Sequence, residues 1–447
     1  MQIKLPPQVE HVINILSETG FQAYAVGGCV RDCLMGLEPL DWDISTAAKP
    51  ADIIKVFRKH RVIETGIKHG TLTVIIDGLS MEITTFRIDG EYTDFRRPDS
   101  VEFTSDLMLD LSRRDFTMNA LAYSPDEGVI DRFGGGDDIR NKIVRCVGDA
   151  DARFNEDALR IIRGLRFASV LDFEIEEKTA ESISANRHLL KKVAVERIQK
   201  ELVKLLCGKA VERILLDYRD VIFEIIPELE ITNGFDQHDD IKHIYDVYGH
   251  IAHSVSIIKD EPELRVTMLL HDSGKPACFT LDEKGTGCFH GHAAAGEEIA
   301  LKVLQDLKFS KKFTEEVTHL IRYHDIPVFD NPNALKKWLS KLGEPLFRKF
   351  LLVKRADLLS LSPAMAGKAA LVDELEERTN KLIKDGICLT LKDLAVKGTD
   401  LMNIGLPAGK IVGDMLERLF TDVTDEKVEN AKDALLEAAK GYIKQLK

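Results

Sequence analysis

The chain of 447 residues contains no apolar run approaching the roughly 20 residues that a membrane-spanning helix needs. Its opening segment, MQIKLPPQVEHV, has no apolar core of the signal-peptide kind. Together these absences predict a cytoplasmic chain with no membrane partner. Cysteine is scarce as well: seven residues, an odd number, with no paired CxxC spacing. Cys29 and Cys33 have no matching His or Cys pair, which argues against both a disulfide framework and a zinc module. No low-complexity tract and no fixed-period repeat is present, so a repeat array is excluded. Positive charge is in deficit, with 61 Lys and Arg against 74 Asp and Glu and a net charge of −13. That balance weighs against nucleic-acid binding, because neutralising phosphates takes Lys and Arg. Binding uses local fields, however. Arg96–Arg97, Arg113–Arg114, Lys191–Lys192 and Arg348–Lys349 offer a positive strip, and composition leaves the partner open.

What is present is an ordinary globular composition, 44% hydrophobic and 30% charged, long enough for more than one domain. Tyr24–Val26 is a short apolar run ending in Gly27–Gly28, and Leu40 to Ser45 alternates acid and apolar. Thr71–Ile76 and Leu79–Phe86 are β-rich and separated by Asp77–Gly78, a two-residue hairpin signal. Beyond about Asn155 helical periodicity takes over, as in Val193–Leu206 and Asp425–Leu446, with Gly405, Gly409 and Gly413 interrupting the tail. The expected class is α+β. A mixed α/β domain over residues 1–140 precedes helical segments at 141–207, 208–362 (His-rich over about 243–360) and 363–447.

The chemistry-bearing residues begin at Gly27-Gly28-Cys29-Val30-Arg31-Asp32. A strand ending in two glycines before a helix brings backbone N–H groups close to a phosphate, and Arg31 adds a fixed charge. The hexapeptide alone is equally compatible with a plain tight turn. Asp41-Trp42-Asp43 follows in a strand-like run. Residues i and i+2 of a strand share a face, so the two carboxylates converge and call for a hard cation such as Mg²⁺. That is the arrangement of two-metal phosphoryl transfer. Glu82, the carboxylate of the second hairpin strand, either assists the metals or orients a primer, or else faces solvent. In Arg113-Arg114-Asp115-Phe116-Thr117-Met118-Asn119, Arg114 and Asn119 offer donors for triphosphate or sugar hydroxyls. Phe116 and Met118 read as packing, and Arg113 as meeting solvent or an acid.

Glu156-Asp157-Ala158-Leu159-Arg160-Ile161-Ile162-Arg163-Gly164-Leu165-Arg166 opens the helical part. At a spacing of three, Asp157 and Arg160 share a helix face. A carboxylate beside a guanidinium accepts the exocyclic amino proton of C or A and rejects the carbonyls of G and U, so one protein surface selects both C and A. The alternative is an ordinary intrahelical ion pair. Steps of three residues drift by about 60° on an ideal helix. This predicts Arg163 rather than Arg166 on the phosphate side.

In order, these segments resemble the bacterial CCA-adding tRNA nucleotidyltransferases, in the class shared with bacterial poly(A) polymerase. The resemblance rests on GGCVRDCLMG, DWD, SRRDFTMNALA, DRFGGGDDI, EDALRIIRGLRF and VERIQKEL. It implies a nucleotidyltransferase head, a helical neck, and body and tail domains that cradle tRNA, with CTP and ATP as substrates. By that likeness Asp41 and Asp43 hold Mg²⁺; Gly28, Arg31 and Arg114 bind nucleotide; Asp157 and Arg160 select the base. Arg163 and Arg166 match further nucleotide-binding positions. TGIKHGT, from Thr65, looks like the tRNA-specific version, and Arg87–Glu102 looks like the flexible loop that CC-only enzymes lack. CCA addition is favoured, with A-only addition and polyadenylation as alternatives.

GHIAHSV, LLHDSGKP and KRADLLS resemble the HD phosphohydrolase pattern through His250, His271, Asp272 and Asp357. His292 and His324 match the extra ligands of its two-metal versions, and Ser273 departs from the usual apolar residue. The resemblance implies a second divalent transition-metal site. Two readings stay open: a working phosphohydrolase, which would then be the main activity, or a retained fold with packing histidines.

Overall fold

The computed structural model describes residues 2–90, 101–239, 241–327 and 332–445. The chain divides into two compact units, one of residues 1–230 with 303–309 and the other of 231–302 with 310–447. The expected arginine pair Arg96–Arg97 and the centre of the Arg87–Glu102 stretch lie outside the described residues.

The first unit is built on a seven-stranded sheet. Its strands are β1 (Ala23–Val26), β2 (Asp43–Thr46), β3 (Arg61–Ile63), β4 (Thr71–Ile76) and β5 (Leu79–Thr85), followed by two more. After the ribbon of β6 (Arg87–Asp89) and β7 (Val101–Phe103) come β8 (Leu121–Ser124) and β9 (Gly128–Asp131), giving the order β3-β4-β5-β2-β1-β8-β9. β4 and β5 form the expected hairpin. Asp77 and Gly78 take φ of 47° and 84°, the positive values that a tight two-residue turn requires. β1 and β2, at the sheet's centre, are buried on both faces apart from Asp43, so Ala23, Tyr24, Ala25, Val26 and Ile44 carry the core. β2 and β5 run parallel, with Asp43 opposite Glu82.

Helices follow the sheet in this unit. Leu159–Leu171 buries Leu159, Ile161, Ile162, Leu165 and Ala168 and packs on Val195–Leu206, which buries Ile198, Leu202, Leu205 and Leu206. Among the described residues the second unit is helical apart from one two-residue strand pair, Thr280–Leu281 with Gly287–Cys288. Its final core gathers Cys388, Leu394, Val396, Leu401, Leu406, Met415, Leu419, Leu435 and Ala439. Two details of the tail differ from expectation. Gly413 lies inside the helix Lys410–Thr424, while Gly405 and Gly409, at φ of 100° and 132°, sit in the turn before it. The last helix is Lys432–Gln445, because the chain turns between Asp425 and Ala431. Among the described residues no helix is long and apolar enough to cross a membrane.

Candidate active site

A cavity of about 500 Å³ in the first unit brings together Gly27, Gly28, Arg31, Asp41, Asp43, Arg114, Asn119, Asp157, Arg160, Arg163 and Arg166. Arg113, Asp115, Leu159, Phe167 and Arg197 complete its lining. Seven arginines against four aspartates face this space, so a chain of net charge −13 still presents a locally cationic site.

At its floor the chain leaves β1 through Gly27 and enters the helix Gly28–Leu34. Gly27 has a φ of 78°, and a Cβ there would stand 2.8 Å from Nη1 of Arg114. The positive φ demands glycine, while a Cβ would also push the Arg114 guanidinium aside. Arg31 donates to Asp32 at 2.9 and 2.7 Å and to the Asn119 side-chain oxygen at 2.7 Å. Asn119 donates in turn to Asp115 at 3.1 Å, and Arg163 donates twice to Asp115, at 2.9 and 2.5 Å. Arg114 reaches Ser45 of β2 and the buried Asp110. Arg113 meets the same acid at 2.7 Å, while Phe116 and Met118 are fully buried, as the sequence suggests.

Asp43 opens β2, and Asp41 stands two residues ahead in the bend that precedes the strand. Both carboxylates are exposed to the cavity, whereas Trp42 between them is buried. The i, i+2 placement therefore survives although the regular strand begins only at Asp43. Glu82 is exposed on β5 beside Asp43 and does not line the cavity itself. Burial pushes the Asp43 carboxyl up to about 6, and the charges of Asp41 and Glu82 push the same way, with Arg114 opposing. Asp41 and Asp43, both lining the cavity, are oxygen donors that suit a hard divalent cation, with the charge of Glu82 nearby.

Two expectations need correction. Asp157 and Arg160 do not share one helix face. Asp157 has an extended backbone, φ −134° and ψ 101°, at the junction between helices Ala150–Glu156 and Leu159–Leu171. There its carboxylate caps the N–H of Leu159 at 3.1 Å and accepts from Arg197 at 3.0 and 3.4 Å. Arg160 instead pairs with Glu156 at 2.7 Å. The argument separating Arg166 from Arg163 assumed one continuous helix and fails with it, since both line the cavity. Arg166 lies over the Phe167 ring at 3.8 Å and pairs with Glu201 at 3.1 Å. Burial pulls its guanidinium down to about 10; Glu201 opposes that shift and Arg163 adds to it.

Asp115, Phe167, Glu201 and Arg197 all lie inside quoted motifs, yet sequence gave them no role. Only Asp115 and Arg197 had a usable signal, as charged residues within otherwise assigned segments.

The second unit gathers the six HD-type residues. His250, His271 and Asp272 form one group with ligand atoms within 4.8 Å of one another, and Asp272, His292 and His324 form another. Asp357 stands 3.2 Å from His250 Nε2. Each histidine turns Nδ1 toward a backbone carbonyl: Ser360 at 3.4 Å, Met268 at 2.8 Å, Phe289 at 2.8 Å and Ile321 at 2.7 Å. Where Nδ1–H donates to its carbonyl, Nε2 is left as an acceptor; His250 Nδ1 also has the Ser360 hydroxyl at 3.3 Å, and its Nε2 lies 3.2 Å from both Asp272 and Asp357. The Nε2 nitrogens face one another at 3.2 Å (His250–His271) and 3.1 Å (His292–His324). Two unprotonated Nε2 atoms at that distance are relieved either by a shared proton or by a metal cation, and carbonyl-anchored imidazoles are the usual ligand form. Ser273 donates to Leu270 and leaves the ligand atoms untouched.

Comparison with known proteins follows the same division. The Poly A polymerase head domain family matches residues 23–145. The family described as Probable RNA and SrmB-binding site of polymerase A matches 172–231, and tRNA nucleotidyltransferase domain 2 matches 291–439. The CCA-adding enzyme of Lactobacillus helveticus is 33% identical over 427 residues, 95% of this chain and 94% of that one. That of Levilactobacillus brevis is 35% identical over 450 residues, covering 98% and 99%. The crystal structure of the Bacillus stearothermophilus CCA-adding enzyme in complex with CTP superposes with a TM-score of 0.72 at 29% identity, covering 99% of both chains. With full-length relatives above 30% identity and a matching architecture, the chain belongs to the CCA-adding enzymes, a family of nucleotidyltransferases.

Proposed function

We propose that this chain adds C and A nucleotides to the 3′ end of tRNA, using CTP and ATP and releasing pyrophosphate. The observation that carries the reading is the pair Asp41 and Asp43 lining an arginine-rich cavity, with Glu82 on the strand beside Asp43. Asp41 and Asp43 would hold Mg²⁺, which when bound would supply activation of the tRNA 3′ hydroxyl and charge neutralisation on the departing pyrophosphate. Glu82 steadies the pair from the neighbouring strand. Gly27 and Gly28 bring backbone close to the triphosphate, and Arg31, Arg114, Arg163 and Arg166 share its charge. Asn119 anchors Arg31. Residues 1–140 serve as head, 141–207 as neck, 208–362 as body and 363–447 as tail. The deciding experiment incubates tRNA ending at the discriminator base, in C or in CC, with CTP, ATP or both. Product lengths ending at CCA support the reading; A-only or long A-tailed products replace it with the alternatives.

Base choice falls to Asp157, with Arg160 bracing the same wall through Glu156 and the Arg153 and Arg113 carbonyls. A carboxylate facing the cavity accepts an amino proton, which C and A have and U and G lack at that position. Asp157→Ala is expected to lower the preference for CTP over UTP by about tenfold or more. Competition between the two nucleotides on one tRNA measures it, and an unchanged ratio removes the assignment.

A second reading concerns the other unit. The facing Nε2 atoms support a divalent transition-metal site held by His250, His271, Asp272, His292, His324 and Asp357. Phosphate-ester hydrolysis is the chemistry such a site would add. Full-length protein purified without chelator is expected to retain about one or two equivalents of metal by elemental analysis, and Asp272→Ala to lose them. Equal metal content in both proteins would end this reading without touching nucleotide addition.

A further inference from the structure

The cavity's selective carboxylate is held by a residue from outside its own motif. Arg197, on the helix Val195–Leu206, donates to Asp157 through Nη2 at 3.0 Å and Nη1 at 3.4 Å. Together with the Leu159 N–H at 3.1 Å, three donors define the carboxylate plane. Arg160, its expected companion, is committed elsewhere. Its Nη1 donates to the Arg153 carbonyl at 3.1 Å and to Glu156 at 2.7 Å, and its Nη2 to the Arg113 carbonyl at 2.8 Å. Arg160 is buried, whereas the Arg197 side chain keeps 26% of its surface and lines the cavity.

We infer that Arg197 is a positioning residue for base selection, and that it acts by locking the orientation of the Asp157 carboxylate. The inference rests on the reading of Asp157 as the base-selecting acceptor. A carboxylate free to rotate can accept from any donor on a Watson–Crick edge, including the ring N3–H of U and N1–H of G. Fixed by three donors, it presents only its remaining lone pairs in one direction, toward an exocyclic amino group. A bidentate guanidinium fixes a plane, and a lysine ammonium, a point donor, does not. Asp157 sits at the start of the helix Leu159–Leu171, which packs on the helix that carries Arg197, so the fold brings the pair together.

The test uses the full-length chain and tRNA ending one nucleotide short of the first C. It compares kcat/KM for CTP and UTP in the wild type, R197A, R197K and D157A. R197A is expected to lower the CTP-over-UTP ratio by about tenfold, and R197K to fall between R197A and wild type. A merely structural role would lower both nucleotides alike and leave the ratio in place. If D157A relaxes the ratio while R197A and R197K keep it, the inference is overturned and Asp157 acts without help. If D157A itself leaves the ratio unchanged, the base-selection reading fails first and this inference with it. Should R197A not fold, R197K decides alone, a wild-type ratio counting against the inference.

Discussion

Asp43→Ala is expected to abolish nucleotide incorporation, slowing single-turnover addition to tRNA by about a thousandfold or more. The size follows from position. Asp43 opens the strand beside Glu82, two residues from Asp41, with a carboxyl that burial and both neighbouring charges push up to about 6. A carboxylate so desolvated and set beside two like charges gains from a cation at the same place. Removing it takes away the charge as well as the ligand. Asp41→Ala is expected to behave the same way. Binding of tRNA, spread over a far larger surface than this edge, should change little, so filter binding is the control. Incorporation by either variant at a rate near wild type would remove the metal assignment.

The second large effect concerns stability. Asp115 is buried, accepts two bonds from Arg163, one from Asn119 and one from the Phe116 N–H. Burial opposes its ionisation, yet the Arg163 charge and hydrogen bonds, the Asn119 bond and the Arg160 charge hold the carboxyl far below the usual range. Asp115→Ala strands the Arg163 guanidinium and should cost about 3–5 kcal/mol at pH 7, as broken buried pairs do. The pH sign is fixed by the direction of the shift. A carboxyl lower in the folded than in the unfolded chain stabilises above the unfolded value, about 3.9, and loses that contribution as pH falls below it. The gap between wild type and variant in urea unfolding should therefore be full at pH 7 and shrink below about pH 4. A gap that stayed constant to pH 3 would assign the loss to packing instead. Because Arg163 and Asn119 line the cavity, the variant should also bind nucleotide less tightly.

The sheet half of the fold was largely legible. Asp77–Gly78 marked a hairpin because only certain residues accept positive φ at both turn positions, and the structure has φ of 47° and 84° there. In sequence Gly27–Gly28 marks a turn that brings backbone near a phosphate; the positive φ of Gly27 and its closeness to Arg114 come only from the structure. Asp41 and Asp43 survived even with the strand starting late, since a local period of two needs only a few extended residues. The Asp157–Arg160 argument went the other way. It assumed that i, i+3 spacing means one helix, and the chain instead breaks at Asp157, which serves as an N-cap-like acceptor for Leu159.

What the sequence settled by itself is therefore local: turns, alternation and the order of motifs. Tertiary structure alone decided the partners. Arg197 reaches Asp157, Glu201 reaches Arg166 and Asp115 reaches Arg163 only because separate helices and loops pack together. The same holds for the four histidines whose Nε2 atoms meet. Spacing along a chain reports which side chains share a face, and that is set by backbone geometry within a few residues. Which acid neutralises which arginine is set by burial across the fold, where leaving a charge unpaired is costly and any suitably placed partner will do.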